Sequence, residues 1–273
     1  MDRLLIPALV VFASLVRAQD KPQTPDDLLT IQKGAIPVIV SVPHGGRTAL
    51  VGVPERRGAG VPMFITIRDE NTAELGEKLA ALIEKKLGGK PYLVLAQFDR
   101  KYVDVNRPAE AAYESEKAKP FYEVYHKALT TATAEVKRDW GRGVLFDLHG
   151  QAADLDAIYR GTLDGKSVKA LVDRFGKPAV TGEKSVFGQL AKRGIKVIPA
   201  NDSDDKEDIF FSGGHIIRTY GSHDGNAIDA IQLEVGGKLR VKAKLDDTAE
   251  KVAEAIRVFA KEYLPAEKIK VKK

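Results

Sequence analysis

The sequence predicts an α/β fold: a mostly parallel, mixed sheet flanked by helices on both faces. Three observations lead there. Short β-branched or aliphatic runs, Pro37 to Val42, Tyr92 to Ala96, Val144 to Leu148, Ile195 to Pro199 and Ile228 to Val235, read as strands buried on both sides. Segments with apolar residues at helical spacing alternate with them, and that alternation builds a parallel sheet covered on both faces. Polar clusters sit at or near the ends of the runs, where such sheets gather ligands: Ser41-Val42-Pro43-His44-Gly45-Gly46, Asp147-Leu148-His149-Gly150 and Gln232-Leu233-Glu234-Val235.

Taken in order, Lys21 to Asp27 is a polar lead-in, and the strand Pro37 to Val42 is stopped by Pro43 and the glycine pair. A loop rich in Gly and Pro runs from Gly45 to Pro62. Asn71 or Thr72 can cap a helix carrying Leu75, Leu79, Leu82 and Ile83, which ends at Gly88-Gly89. Pro120 to Trp140 has helical periodicity through Val124, Leu129, Ala132 and Val136, and Gly141-Arg142-Gly143 returns the chain to the strand at Val144. A helix at Ser185 to Lys192 precedes the strand Ile195 to Pro199. The acidic loop Asn201 to Asp208 then opens into Phe211-Ser212-Gly213-Gly214-His215, and an amphipathic helix runs from Asp246 to Tyr263.

The 273 residues, 44% hydrophobic and 30% charged, suffice for one large domain with a substantial core. Arg3 precedes an apolar run from Leu4 to Val16, and Val16-Arg17-Ala18 offers small residues at the spacing of signal-peptide cleavage. The reading is a signal peptide over 1–18 and a catalytic domain over 19–273, exported to the periplasm or secreted. The apolar run falls short of the roughly 20 residues that span a bilayer, so no membrane span is expected after cleavage. The chain has no cysteine, which excludes disulfides, thiol catalysis and cysteine ligation of a metal. A formal net charge of +5 becomes +4 on cleavage, since Arg3 and Arg17 leave against Asp2. Much of the excess lies in Lys268, Lys270, Lys272 and Lys273, which lack interleaved aromatics and read as a solvated end rather than a nucleic-acid arm. Nothing in the sequence fixes an oligomeric state.

The chemistry-bearing residues are few. His44 and His149 each end an apolar strand, and Asp147, two residues before His149, shares its side of the strand and can hydrogen-bond a ligating imidazole. Two histidines and a carboxylate satisfy a catalytic zinc site that keeps one position open. Spacing alone leaves Asp69 and Glu70 equal candidates for the carboxylate, since either can instead complement a helix dipole. Glu234 sits in an otherwise apolar strand and needs a partner or a function to offset its desolvation; general base is the role that fits. Arg107 beside Asn106, and Arg218 after the glycine pair, suit a carboxylate gripped by paired hydrogen bonds. His126 reads as a packing residue and His223 as solvated. The acidic loop lacks the spacing of a calcium loop.

The motif order resembles that of the N-formylglutamate amidohydrolases, whose fold is similar to the zinc exopeptidases (phosphorylase/hydrolase-like). The matching pieces are Val42-Pro43-His44-Gly45-Gly46, Asp69 with Glu74-Leu75, Tyr102-Val103-Asp104-Val105-Asn106-Arg107-Pro108, Tyr125-His126-Lys127-Ala128-Leu129, Asp147-Leu148-His149, the run Gly213 to Gly221, and Ile231-Gln232-Leu233-Glu234-Val235. The resemblance implies one Zn2+ held by His44, Asp69 and His149, with Asp69 preferred to Glu70. It implies that Glu234 takes a proton from the attacking water and passes it to the leaving nitrogen. Asn106 and Arg107 would hold the substrate's α-carboxylate, and Arg218 would face a second carboxylate or the carbonyl oxygen. His215 would steady the oxyanion or hold Arg218. The expected substrate is a small anionic N-acyl amino acid. The signal peptide sets a cell-wall amidase or carboxypeptidase acting on muropeptides beside that reading, and an exported binding protein without turnover is the rival from another class. Nucleic acid is not an expected partner.

Overall fold

The computed structural model describes residues 24–225 and 228–269. The expected signal peptide and the last lysines of the tail lie outside the described residues. Within them, seven strands form one sheet in the order β1-β3-β2-β4-β7-β5-β6: β1 Leu29–Gln32, β2 Val38–Val42, β3 Tyr92–Ala96, β4 Gly143–Gln151, β5 Ala157–Gly161, β6 Lys196–Ile198 and β7 Ile228–Gly236. The central strands β3, β2, β4 and β7 are mutually parallel; β1 runs antiparallel to β3, and β5 antiparallel to β7 while parallel to β6. The sheet is therefore mixed and mostly parallel, as the apolar runs predict.

The helices are α1 Thr72–Leu87, α2 Ala109–Ala112, α3 Lys119–Trp140, α4 Lys169–Phe175, α5 Pro178–Thr181, α6 Val186–Lys192, α7 His215–Tyr220 and α8 Leu245–Tyr263. Leu75, Leu79 and Ile83 of α1 and Val252, Ile256 and Phe259 of α8 cover one face of the sheet, meeting Val38, Val40, Val42, Val144, Phe146, Leu148, Ile231, Leu233 and Val235. Tyr125, Leu129 and Val136 of α3, with Ile216 and Ile217 of α7, cover the other over Ile39, Val94, Leu145, Ile228 and Ala230. Burial of each such side chain contributes about 1.5–3 kcal/mol. None of the described helices is long and apolar enough to cross a membrane.

The two faces differ along the strands. The α1/α8 face stays apolar to the carboxyl ends, whereas the other changes character: Ile39 gives way to Ser41, Leu145 to Asp147 and His149, and Ala230 to Gln232 and Glu234. The period-two alternation of a strand thus delivers all of these polar groups to one side at one end of the sheet.

Several expectations change in detail. Asn71 stands at the N-terminus of α1 in a left-handed conformation and donates from Nδ2 to the Arg240 carbonyl (2.9 Å) instead of capping, while the Thr72 hydroxyl donates to the Asp69 carbonyl (2.7 Å). Lys268 is not free: it pairs with Asp139 (2.8 Å) over the Trp140 ring. Gly45 and Gly46 also serve close approach: a Cβ on Gly45 would lie 2.4 Å from the Ala73 nitrogen and one on Gly46 2.3 Å from the Gln97 carbonyl carbon. Backbone cannot yield as a side chain tip does. Gly45→Ala is expected to cost roughly 1–3 kcal/mol, read by urea denaturation.

Candidate active site

His44 follows β2, and His149 lies near the end of the adjacent β4. Their Nδ1 atoms approach to 3.2 Å, and Asp69 Oδ2 lies 3.5 Å from the first and 3.4 Å from the second. All three residues are buried. Asp69 is brought in by the turn before α1, where its backbone N–H donates to the His44 carbonyl (3.0 Å) and its Oδ2 accepts from Gly150 N–H (3.0 Å). Glu70 points away, exposed, with Arg68 3.7 Å distant. Geometry thus gathers Asp69 and not Glu70 to the histidines.

Each imidazole is fixed from behind. His44 Nε2 donates to Asp104 Oδ1 (2.7 Å) and His149 Nε2 to Asp147 Oδ2 (2.8 Å), because an ionised carboxylate only accepts. With both rings neutral and protonated on Nε2, each Nδ1 would turn a lone pair towards Asp69 Oδ2, three mutually repelling electron-pair donors that would need a cation or a proton between them. Bonds of about 2.0–2.1 Å to a tetrahedral ion set donor-to-donor edges of about 3.4 Å. The observed 3.2, 3.4 and 3.5 Å match that edge, so this His-Asp-His group fits a divalent cation with one position left open.

The charges agree with that fit. Burial opposes ionisation of Asp69, but hydrogen bonds to His149 and His44 and the nearby Arg100 hold its carboxyl well below the usual range. Burial likewise disfavours a charged His149, yet Asp147 and Asp69 hold its imidazole well above the usual histidine value, so in the metal-free protein a proton takes the place of a cation. Asp147 is tied down in turn by the Ser41 hydroxyl (2.6 Å), which also meets the Tyr125 hydroxyl (2.8 Å).

Glu234 lies directly across from His149 in the β4–β7 register and lines the same cleft, with Gln232 Nε2 donating to its Oε1 (2.9 Å). Burial pushes its carboxyl up to about 7, with Asp69 and Asp147 adding to the effect and His149 opposing it. That value suits a group that exchanges a proton near neutrality.

Asp104 is a residue that spacing alone did not single out. Fully buried, it accepts from His44 and from Arg100 Nη2 (2.7 Å) and Asn106 N–H (3.0 Å), with Arg56 and Arg107 each 3.8 Å away. Burial opposes its ionisation, but His44 and Arg100 hold it well below the carboxylate range. The same three arginines reach outward to alternate carbonyls of the loop after β2: Arg107 to Met63 (2.9 Å), Arg56 to Ile65 (2.9 Å) and Arg100 to Ile67 (3.5 Å). One carboxylate therefore fixes both an imidazole and a wall of the cleft. A buried aspartate between Val103 and Val105, followed by Asn-Arg, was the available signal.

The remaining expected residues line the same cleft, of about 580 Å³. Asn106 Oδ1 accepts from Ile216 N–H (2.8 Å), which seats α7, and its Nδ2 lies 3.2 Å from His149 Nε2. Arg107 is partly exposed. Arg218 is exposed, with no carboxylate paired to it among the described residues. His215 meets Tyr122 (3.3 Å) and Thr219 (3.4 Å) rather than Arg218, and burial lowers its affinity for a proton. His126 bridges the Val105 carbonyl (2.9 Å) and the Tyr220 hydroxyl (3.0 Å), a packing role. His223 is half-buried beside Asp224 (3.4 Å) rather than fully solvated. The acidic loop divides: Ser203 to Glu207 line a neighbouring cavity, with Glu207 buried against Arg160 and Thr162, while Ile209, Phe210 and Phe211 line this cleft.

No family model matches the chain. A curated N-formylglutamate deformylase of Pseudomonas aeruginosa is 22% identical over 241 residues, covering 77% of this chain and 84% of its own length. The crystal structure of an N-formylglutamate amidohydrolase from Ralstonia eutropha aligns over 86% of this chain and 97% of its own, with TM-score 0.56 and 16% identity. A gene product of Agrobacterium tumefaciens aligns over 86% and 94%, with TM-score 0.55 and 14% identity. The structural likenesses establish the fold, and the curated relative adds a sequence similarity over most of the chain; both agree with the motif order, so in sequence and in fold the chain is similar to the N-formylglutamate amidohydrolases, hydrolases of amide bonds.

Proposed function

We propose that the protein is a zinc-dependent amidohydrolase that cleaves the amide of a small, N-formylglutamate-like N-acyl amino acid bearing a free carboxylate. The observation that carries this reading is the convergence of His44, Asp69 and His149 on one point with Glu234 across the strand. When bound, zinc supplies Lewis-acid polarisation of the amide carbonyl and makes water a stronger acid. Glu234 accepts the proton of the attacking water at a carboxylate oxygen and returns it to the leaving nitrogen. Asp104 and Asp147 hold the two imidazoles in the tautomer that presents Nδ1. Arg107 and Arg218 bind the substrate's anionic groups, Asn106 positions α7 and its own amide beside them, and His215 lies in the cleft as a donor to charge developing on the carbonyl oxygen. We further propose that 1–18 is a cleaved signal peptide and that the catalytic unit, 19–273, works outside the cytoplasm.

Metal content and amine release test this together. The wild type is expected to hold about one zinc ion per chain, and His44→Ala and His149→Ala less than about a tenth of that. Chelation should abolish hydrolysis and zinc should restore it. Zinc-loaded protein inert on N-acyl amino acids, dipeptides and muropeptides alike would overturn the reading.

A further inference from the structure

The cleft is apolar where a formyl amino acid has nothing to offer it. Met63 is 52% and Ile65 41% exposed on one wall; Ile209 is 83% and Phe210 65% exposed on the other, and all four line the cavity that contains His44, His149 and Glu234. Large apolar side chains clustered at a site are uncommon on a soluble surface and mark what the site binds.

These walls are built rather than loose. The Met63 and Ile65 carbonyls are held by Arg107 and Arg56 (both 2.9 Å), with Phe64 packed against the Arg56 guanidinium at 4.9 Å. Opposite, Phe210 N–H donates to Asp208 Oδ1 (2.8 Å), and the Phe211 carbonyl accepts from Gln232 Nε2 (3.4 Å), the same amide group that bonds Glu234. The first wall is thus tied through Arg56 and Arg107 to Asp104, and the second through the Phe211 carbonyl and Gln232 to Glu234, while the apolar side chains are left to the cleft. A volume of about 580 Å³ also falls in the range that takes larger ligands, roughly 300–1,000 Å³.

We infer that the substrate of this cleft carries a bulky apolar substituent together with its carboxylate, seated between Met63 and Ile65 on one side and Ile209 and Phe210 on the other. The inference rests on the amide-hydrolase reading above and names its substrate class. The exposed Arg218 supplies the charge partner for the carboxylate. The substituent belongs either to the acyl group or to the amino acid, and the two are separable by experiment.

The test is a matrix of N-acyl-L-glutamates and N-acyl-L-leucines with formyl, acetyl, butanoyl and hexanoyl groups. Each is assayed by amine release with zinc-loaded wild type, and titrated calorimetrically into zinc-loaded Glu234→Gln, which binds without turnover. If the acyl side is apolar, kcat/KM and affinity rise roughly two- to fourfold per added methylene; if the amino-acid side is apolar, leucine exceeds glutamate by about tenfold or more. Phe210→Ser and Ile65→Ser should flatten whichever gradient is seen. A matrix in which formylglutamate is best by both readouts, or a gradient that survives both substitutions, would overturn the inference while leaving the hydrolase intact. No amine release from any member, with affinity still rising along the apolar series, would remove the hydrolase reading and sustain the apolar site.

Discussion

Glu234→Gln should abolish hydrolysis and at the same time stabilise the metal-free protein at alkaline pH. The catalytic loss expected is about 10²–10⁴-fold, the usual contribution of a positioned base. The stability gain follows from burial, which pushes the Glu234 carboxyl from 4.5 to about 7. A carboxyl raised in the native state keeps a proton that the unfolded chain has already lost, so stability falls as pH climbs from about 4.5 to 7, and the full cost remains above 7. A shift of that size corresponds to something on the order of 3 kcal/mol. Glutamine removes the charge and can still accept from Gln232 through its own carbonyl, so denaturation at pH 8 should show the variant more stable by about 2 kcal/mol, with no difference at pH 4.5. If the proposed dication takes the place of the His149 charge that lowers the Glu234 value, the acid limb of kcat/KM should have its midpoint at or below 7. A variant keeping more than about a tenth of wild-type turnover would remove Glu234 from the proton-transfer role.

The strand Ile231 to Val235 shows why much of this site is legible in sequence. A glutamate and a glutamine alternating with aliphatic residues can only face one side, and burial makes their presence costly enough to require a reason. His44 and His149 are readable for the same cause: apolar runs announce the strand, and the polar residue at its end announces the cleft. Asp69 is not readable from spacing, because its approach depends on the turn before α1 and on the Gly150 N–H of a strand 81 residues away. The strands Leu29–Gln32 and Ala157–Gly161 carry too little apolar signal, the first alternating at a sheet edge and the second holding Arg160, whose partner Glu207 arrives 47 residues later. Asp104 was masked by its neighbours: Asn106 and Arg107 look like the substrate grip, while the buried carboxylate beside them does the organising.

That organising role predicts an asymmetry between the two carboxylates behind the histidines. Asp104→Asn and Asp147→Asn each weaken the hydrogen bond that orients one imidazole, so each should lower zinc affinity by about 10–100-fold. Their stabilities should diverge. Among the described residues Asp147 bonds the Ser41 hydroxyl through one oxygen and His149 through the other; an asparagine can accept from His149 on its oxygen and donate its amide N–H to the Ser41 hydroxyl, which can turn to donate to Tyr125. Asp104 is the shared countercharge of Arg100 at 2.7 Å and of Arg56 and Arg107 at 3.8 Å, and an amide oxygen cannot neutralise the buried guanidinium groups of Arg100 and Arg56. Leaving such charges unpaired costs about 3–5 kcal/mol, so Asp104→Asn should unfold at markedly lower urea than Asp147→Asn. Because the same arginines hold the carbonyls of Met63, Ile65 and Ile67, protease cleavage in that loop should rise in Asp104→Asn and stay at the wild-type level in Asp147→Asn. Equal stabilities and an unchanged cleavage rate would mean that Arg100 is neutralised by Asp69 at 3.5 Å without Asp104, and that the cleft wall is set independently of the His-Asp-His cluster.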